Sequence, residues 1–357
     1  MTKLARIVAA LVVAVVIVIL PRTNSISRAA TAHKIGGSLN VIDWEGYTDP
    51  SFVRPFEQQT GCQVHSTYAG SSDEMFAKFR SGGGRSFDLV SASGDASLRF
   101  IQSGAVVPVD LKRIPNWKNL APQLKSPPHN TVAGKHYGVS FMWGPDVLIY
   151  STKVFKKAPT SWSVIYSKKY AGKIEIPDNA IQIADVAVYL HYKNPYNLNN
   201  AQLSRIKNVL KAQRPLIRHF WASAGDFESL FKTGDAVLGA GWPLMTIDLK
   251  KAHVPVGETI PREGATGWAD TWMLSAHSNH VACAYAWMNY ALSPKVQAKV
   301  VKVTGYSPAN VKTAGILGKK ESAALHITDA RYYNSLKFWK TPPNYTQWQT
   351  IWNEIKG

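Results

Sequence analysis

Three times in succession between Leu39 and Gly104 the chain runs through a short β-prone stretch, a capping residue and an amphipathic helical stretch. This alternation restricts the fold more than any other feature. Leu39-Asn40-Val41-Ile42-Asp43-Trp44 reads as a strand, followed by Asp49 as N-cap, Pro50 at the first helical position, apolar Phe52, Val53 and Phe56, and Gly61 as stop. Cys62 to Tyr68 alternates like a strand, Ser71-Ser72-Asp73-Glu74 forms a capping box, and Met75, Phe76 and Phe79 give a helical face that ends at Gly82-Gly83-Gly84. The third unit is Phe87-Asp88-Leu89-Val90, with Asp95 capping a helix through Ser103 and Gly104 ending it. Strands alternating with helices at this spacing predict an α/β protein with a mainly parallel sheet.

Residues 105–135 are rich in proline and polar side chains and are expected to wrap the surface, whereas Tyr137 to Tyr150 is apolar and suits a crossover strand. Helices are predicted over Trp162–Tyr170, Asp185–His191, Leu203–Gln213 and Val281–Leu292, and a buried strand over Val237–Trp242. A second crossover is expected near Trp268 to Leu274.

At the N-terminus, Lys3 and Arg6 precede an apolar run from Ile7 to Leu20, Pro21 ends it, and Ala30-Thr31-Ala32 offers small residues for cleavage. The run is shorter than the roughly 17–25 residues of a bilayer span, and the layout predicts a secretory signal peptide over residues 1–32, with a retained anchor as the alternative. No Cys follows the run to carry a lipid. Export would place Cys62 and Cys283 in an oxidising compartment, where they either pair or remain buried thiols. The formal charge of +18 invites a nucleic-acid or anionic-membrane partner. The basic residues are scattered in ones and twos, however, and export removes the chain from nucleic acid, so a solvated basic surface is the expectation.

Common catalytic signatures are missing: the chain has no P-loop, H-E-x-x-H, C-x-x-C, G-x-S-x-G or dinucleotide fingerprint. No cofactor or metal is expected, since its ten histidines are dispersed. The informative pattern is aromatic. Trp44 and Tyr47 follow the first strand, Trp242 ends an apolar strand, Trp268 flanks Asp270, and Tyr306 follows Gly305. In α/β sheets ligands bind at the C-terminal ends of strands, and aromatic faces attract cations. Asp270 among those rings would complete an ammonium site through a charge-assisted hydrogen bond; the same rings also fit an ordinary core.

Asp43-Trp44-Glu45-Gly46-Tyr47, Phe56 to Gly61, Ser72-Asp73-Glu74-Met75, Phe87-Asp88-Leu89-Val90 and Trp268-Ala269-Asp270 resemble, in order, the periplasmic spermidine/putrescine-binding proteins of ABC transporters, a branch of the family 1 extracellular solute-binding proteins. Ser91 to Arg99 and Gly267 to Thr271 look most like one polyamine-binding subgroup. The resemblance implies a type II two-lobe α/β fold joined by crossover strands, with lobe 1 over residues 37–143 and 270–316 and lobe 2 over 144–269 and 317–357. It implies a periplasmic, non-enzymatic and monomeric protein that closes on a polyamine and delivers it to an inner-membrane ABC permease. Matched position by position, Trp44, Tyr47, Trp242 and Trp268 correspond to box residues, Ser93 and Tyr306 to polar contacts, and Asp270 to the amine-binding carboxylate.

Two family acids are replaced by Asn179 and Gln182, a family aromatic falls at Asp95, and a family glutamine falls close to Lys340. With two acids neutralised, a short diamine such as putrescine is expected in preference to spermidine, with Asp95, Glu45 or Asp185 as sources of replacement charge. Two alternatives remain: a binding protein for an amino acid or anion, and an enzyme of polyhydroxybutyrate synthesis. The latter would need an activated nucleophile, and neither Cys62 nor Cys283 sits in an elbow.

Overall fold

The computed structural model describes residues 34–357, which form one compact unit; the segment read as a signal peptide lies outside them. Among the described residues no helix is long and apolar enough to cross a membrane.

The first two strand–helix units form as the sequence predicts. Strand Gly37–Asp43 pairs in parallel with Cys62–Tyr68, and Val41 and Ile42 pair in parallel with Leu89 and Val90 on the other side. Asp49 caps helix Pro50–Thr60 by accepting from the Ser51 N–H, and Gly61 closes it in a left-handed conformation. Ser71 caps helix Ser72–Arg80 through the Glu74 N–H. The reciprocal half of the expected box goes elsewhere, because Glu74 accepts from the Gly70 N–H.

The third unit differs in detail. Its strand is Leu89–Ala92, two residues later than predicted, since pairing with Thr271 to Leu274 from far along the chain sets its limits. Its helix is Gly94–Gln102, so Asp95 lies in the first turn and Ser93 occupies the cap position without a side-chain cap bond.

Two sheets result. The first runs in the order 307–308, 139–145, 266–275, 89–92, 37–43, 62–68, with the short strands 106–107 and 337–338 also on 266–275. The second runs 217–221, 174–177, 238–241, 147–151, 256–259. Strands joined by nearby helices pair in parallel, and those that carry the chain between sheets pair antiparallel. The chain leaves the first sheet between Pro145 and Val147 and returns through residues 260–265. Every residue of Thr266–Ser275 is buried, which makes this strand the spine of the first sheet.

Elsewhere, Asn200–Gln213 and Val281–Ala291 are α-helices near their predicted limits. Trp162–Tyr166 and Lys168–Tyr170 are 3-10 turns rather than one helix, and the predicted Asp185–His191 helix spans Ile183–Tyr189, ending before His191 at φ 59°. Cys62 and Cys283 are joined in a disulfide that ties strand Cys62–Tyr68 to helix Val281–Ala291.

Candidate functional site

The sheet geometry delivers side chains from distant parts of the sequence to one place. Trp44 follows strand Gly37–Asp43, Ser93 follows Leu89–Ala92, and Trp242 follows Leu238–Gly241. Each therefore leaves the C-terminal end of a strand that has a parallel neighbour. Trp268 and Asp270 stand two residues apart on Thr266–Ser275 and so share a face. Tyr306 follows Gly305, whose φ of 71° makes the turn after helix Pro294–Thr304.

Trp44, Ser93, Trp242, Trp268, Asp270, Tyr306 and Trp339 line a single cavity of about 10 Å³, near the lower limit for one water, so a larger guest requires the walls to part. The rings meet edge to face: Trp44 and Trp242 at 5.8 Å, Trp268 and Tyr306 at 4.4 Å, Tyr47 and Tyr306 at 6.0 Å. Gly144 lies opposite Trp268 in the sheet, and a Cβ there would stand 2.8 Å from the indole. Only a glycine lets the indole lie against that backbone.

Asp270 is buried and accepts from the hydroxyls of Tyr47, at 2.5 Å, and Ser93. Among the described residues it forms no salt bridge with any lysine, arginine or histidine. Burial raises its pKa to about 7, the Ser93 and Tyr47 hydrogen bonds draw it back, and the Asp95 carboxylate raises it further. Burial likewise pushes the Tyr47 and Tyr306 hydroxyls well above the ordinary phenol range, so both stay protonated as donors. The indole N–H groups of Trp44 and Trp268 are buried without an acceptor. The arrangement is an anionic group in an aromatic box, suited to an organic cation.

Of the residues singled out in the sequence, Trp44, Ser93, Trp242, Trp268, Asp270 and Tyr306 come together, and Tyr47 joins them through Asp270. Asp95, Asn179 and Gln182 do not line this cavity. Asp95 is buried nearby and accepts from Ser72, and burial raises it to about 7. Asn179 caps the turn Ala180–Gln182 and lines a separate hollow beside Asp178. Gln182 faces a pocket with Asp185. Trp339 was missed by the sequence reading; the run of rings at Tyr332, Tyr333, Phe338 and Trp339 was the available signal.

A groove of about 960 Å³ adjoins the cavity, sharing Trp339 and lined by His129, Lys193, Lys337 and Lys340. Burial, with Lys340 adding repulsion, lowers the His129 pKa to about 4.

Residues 51–323 match the family described as bacterial extracellular solute-binding protein. The chain belongs to this family. Among extracellular solute-binding proteins it is 25% identical over 285 residues to the spermidine/putrescine-binding periplasmic protein of Escherichia coli K12, covering 78% of this chain and 80% of that one. It is 23% identical over 344 residues to a putrescine/agmatine-binding protein of Pseudomonas aeruginosa, covering 89% and 92%. Its fold matches the spermidine/putrescine ABC transporter substrate-binding protein PotD of Streptococcus pneumoniae with a TM-score of 0.72 at 19% identity, over 90% and 99% of the two chains. The architecture is that of a type II, two-lobe binding protein. Its relatives are solute-binding proteins rather than enzymes, and Cys62 and Cys283, the thiols considered as nucleophiles, are bonded to each other.

Proposed function

We propose that this protein is the capture component of an ABC importer for polyamines and favours a short diamine such as putrescine. Asp270 carries the reading: a buried carboxylate with two hydroxyl donors, no cationic partner among the described residues, and tryptophan and tyrosine rings on its open side. One ammonium pairs with Asp270, and the methylene chain lies against Trp44, Trp242 and Trp268. The names of the E. coli and P. aeruginosa relatives support an amine ligand. Asp270 is the one carboxylate among the described residues that lines the cavity, which favours a guest with few charges over spermidine.

The ligand enters between open lobes and shifts the population toward the closed form. The lobes follow the two sheets: residues 37–145 with 266–316 in one, and residues 147–259 with the C-terminal helix Tyr345–Lys356 in the other. Flexing occurs where the chain passes between the sheets, at Asp146 and through residues 260–265. The segments expected to be crossovers, around Trp143-Gly144-Pro145 and Trp268–Thr271, lie inside buried strands paired with each other, which leaves both little freedom to bend. The chain reaches the periplasm by a signal peptide over residues 1–32, acts as a monomer, and hands its cargo to a membrane permease.

A second reading rests on the groove beside Trp339, where Lys193, Lys337 and Lys340 would suit an amine that also carries a carboxylate. Calorimetric titration with putrescine, spermidine and 4-aminobutanoate decides between them. Tightest binding of putrescine supports the first reading, and tightest binding of 4-aminobutanoate the second. Tighter spermidine binding removes the diamine preference.

A further inference from the structure

Behind the aromatic cage lies a second acidic cluster. Asp146 sits where the chain leaves the first sheet, Thr266 begins the strand by which it returns, and Asp185 is on helix Ile183–Tyr189. The Asp146 N–H bonds the Thr266 carbonyl at 3.0 Å, so the two crossing segments are joined here. The Thr266 hydroxyl lies 2.6 Å from Asp146 Oδ2 and within hydrogen-bond reach of Asp185 Oδ1, and it accepts from the Trp339 indole at 3.3 Å. Asp146 Oδ1 accepts from the Trp242 indole at 3.0 Å.

Counting hydrogens constrains this network. Thr266 has one hydroxyl hydrogen and two carboxylates to satisfy. If it donates to Asp146, Asp185 must be protonated and donate to the hydroxyl oxygen, which then holds one donor bond and two acceptor bonds. Asp146, with both oxygens accepting, carries the charge. Asp185 Oδ2, buried without a partner, belongs to the neutral acid. Burial and the Asp146 charge both raise Asp185 well above the carboxylate range.

We propose that Asp146, Thr266 and Asp185 are positioning residues for the ligand cage: one proton, held on Asp185, fixes Trp242 and Trp339, two of its walls. The inference rests on the reading of that cage as the ligand site. The groups facing the cluster are Tyr166, stacked on Tyr189 at 4.5 Å, Tyr196, which donates to the Lys337 carbonyl, and Tyr306 at longer range. Neither Asp146 nor Asp185 forms a salt bridge among the described residues, so loss of the shared proton would leave two anions in contact.

The test follows near-ultraviolet circular dichroism of the ligand-free protein, and putrescine affinity by calorimetry, from about pH 6 to about pH 9. Above about pH 8, where Asp270 is already charged, the wild type is expected to lose tryptophan dichroism and at least about fivefold in affinity. Asp185→Asn keeps an N–H donor without a titratable proton and should hold both signals constant there. Thr266→Val should weaken binding by about tenfold or more at every pH, and Thr266→Ser should restore it to within about threefold. An Asp185→Asn protein that titrates like the wild type, or a folded Thr266→Val protein with unchanged dichroism, overturns the proposal. If putrescine does not bind while the dichroism behaves as stated, the ligand reading fails and the positioning role stands.

Discussion

Tyr47 and Asp270 are 223 positions apart in sequence, yet the tyrosine hydroxyl stands 2.5 Å from a carboxylate oxygen of the aspartate. The bond joins the loop after the first strand to the spine of the first sheet, at the wall of the cavity. Because Tyr47 stays protonated, it donates to the ionised carboxylate and stabilises the charged form of Asp270 that an ammonium guest would meet.

Removing that charge should abolish tight amine binding. Asp270→Asn is expected to weaken putrescine by at least about 30-fold, the scale of truncating one partner of a buried charged pair. Tyr47→Phe should cost less, about fivefold to tenfold, through loss of one donor to a charged group. Calorimetric titration checks both, with thermal melting to show that the variants are folded.

The affinity itself should depend on pH. Asp270 has a pKa of about 7, so its charged form grows as pH rises through that value. Putrescine binding should therefore strengthen from about pH 5.5 to about pH 8, by up to about tenfold per unit below the pKa. Asp270→Asn should flatten this rise. An affinity that falls across the interval in the wild type contradicts the assignment.

Stability should run the other way. Asp43, Asp95 and Asp270 all have burial-raised values of about 7. A raised folded pKa means that the native state binds more protons than the unfolded chain, so the stabilisation is complete below about pH 4 and is lost as pH passes about 7. The ligand-free melting temperature should fall between about pH 6 and about pH 9, and Asp43→Asn should reduce the slope if it folds. Melting scans across that range test this.

Gly144→Ala should disturb the site without breaking the fold. The added methyl would press on the Trp268 indole at 2.8 Å. Displacing that ring should weaken putrescine by about threefold to 30-fold, the range of one cation–π contact. Unchanged affinity in a folded variant would mean that Trp268 does not touch the ligand.

The disulfide closes a separation of 221 residues. Replacing both cysteines by serine should lower stability by about 2–5 kcal/mol and leave putrescine affinity within about twofold, since neither sulfur lines the cavity. Denaturant melts of the oxidised, reduced and mutant proteins measure the loss.

What the sequence made legible divides along physical lines. Alternation, caps and stops are local signals, so the strand–helix units after Leu39 and the caps at Asp49 and Ser71 could be read directly. The register of Leu89–Ala92 could not, because its partner is the strand beginning at Thr266. Rings at the ends of strands marked Trp44 and Trp242, whereas Trp339 enters from the C-terminal segment, pinned by the pairing of Phe338 with Gly267. Asp146 and Thr266 carry no motif and acquire meaning only when the crossing segments meet. Asp185 was noticed for its charge, but its neutral state emerges only from the hydroxyl that it shares.

Ser93 heads a helix and leaves that helix uncapped, because its hydroxyl is turned to Asp270. A capping side chain commonly adds about 1 kcal/mol, so selection for durability alone would have turned the serine inward. Its orientation records a compromise between endurance and recognition, and engineers who seek a hardier scaffold should find that improvements around residues 93–95 erode grip on the cargo.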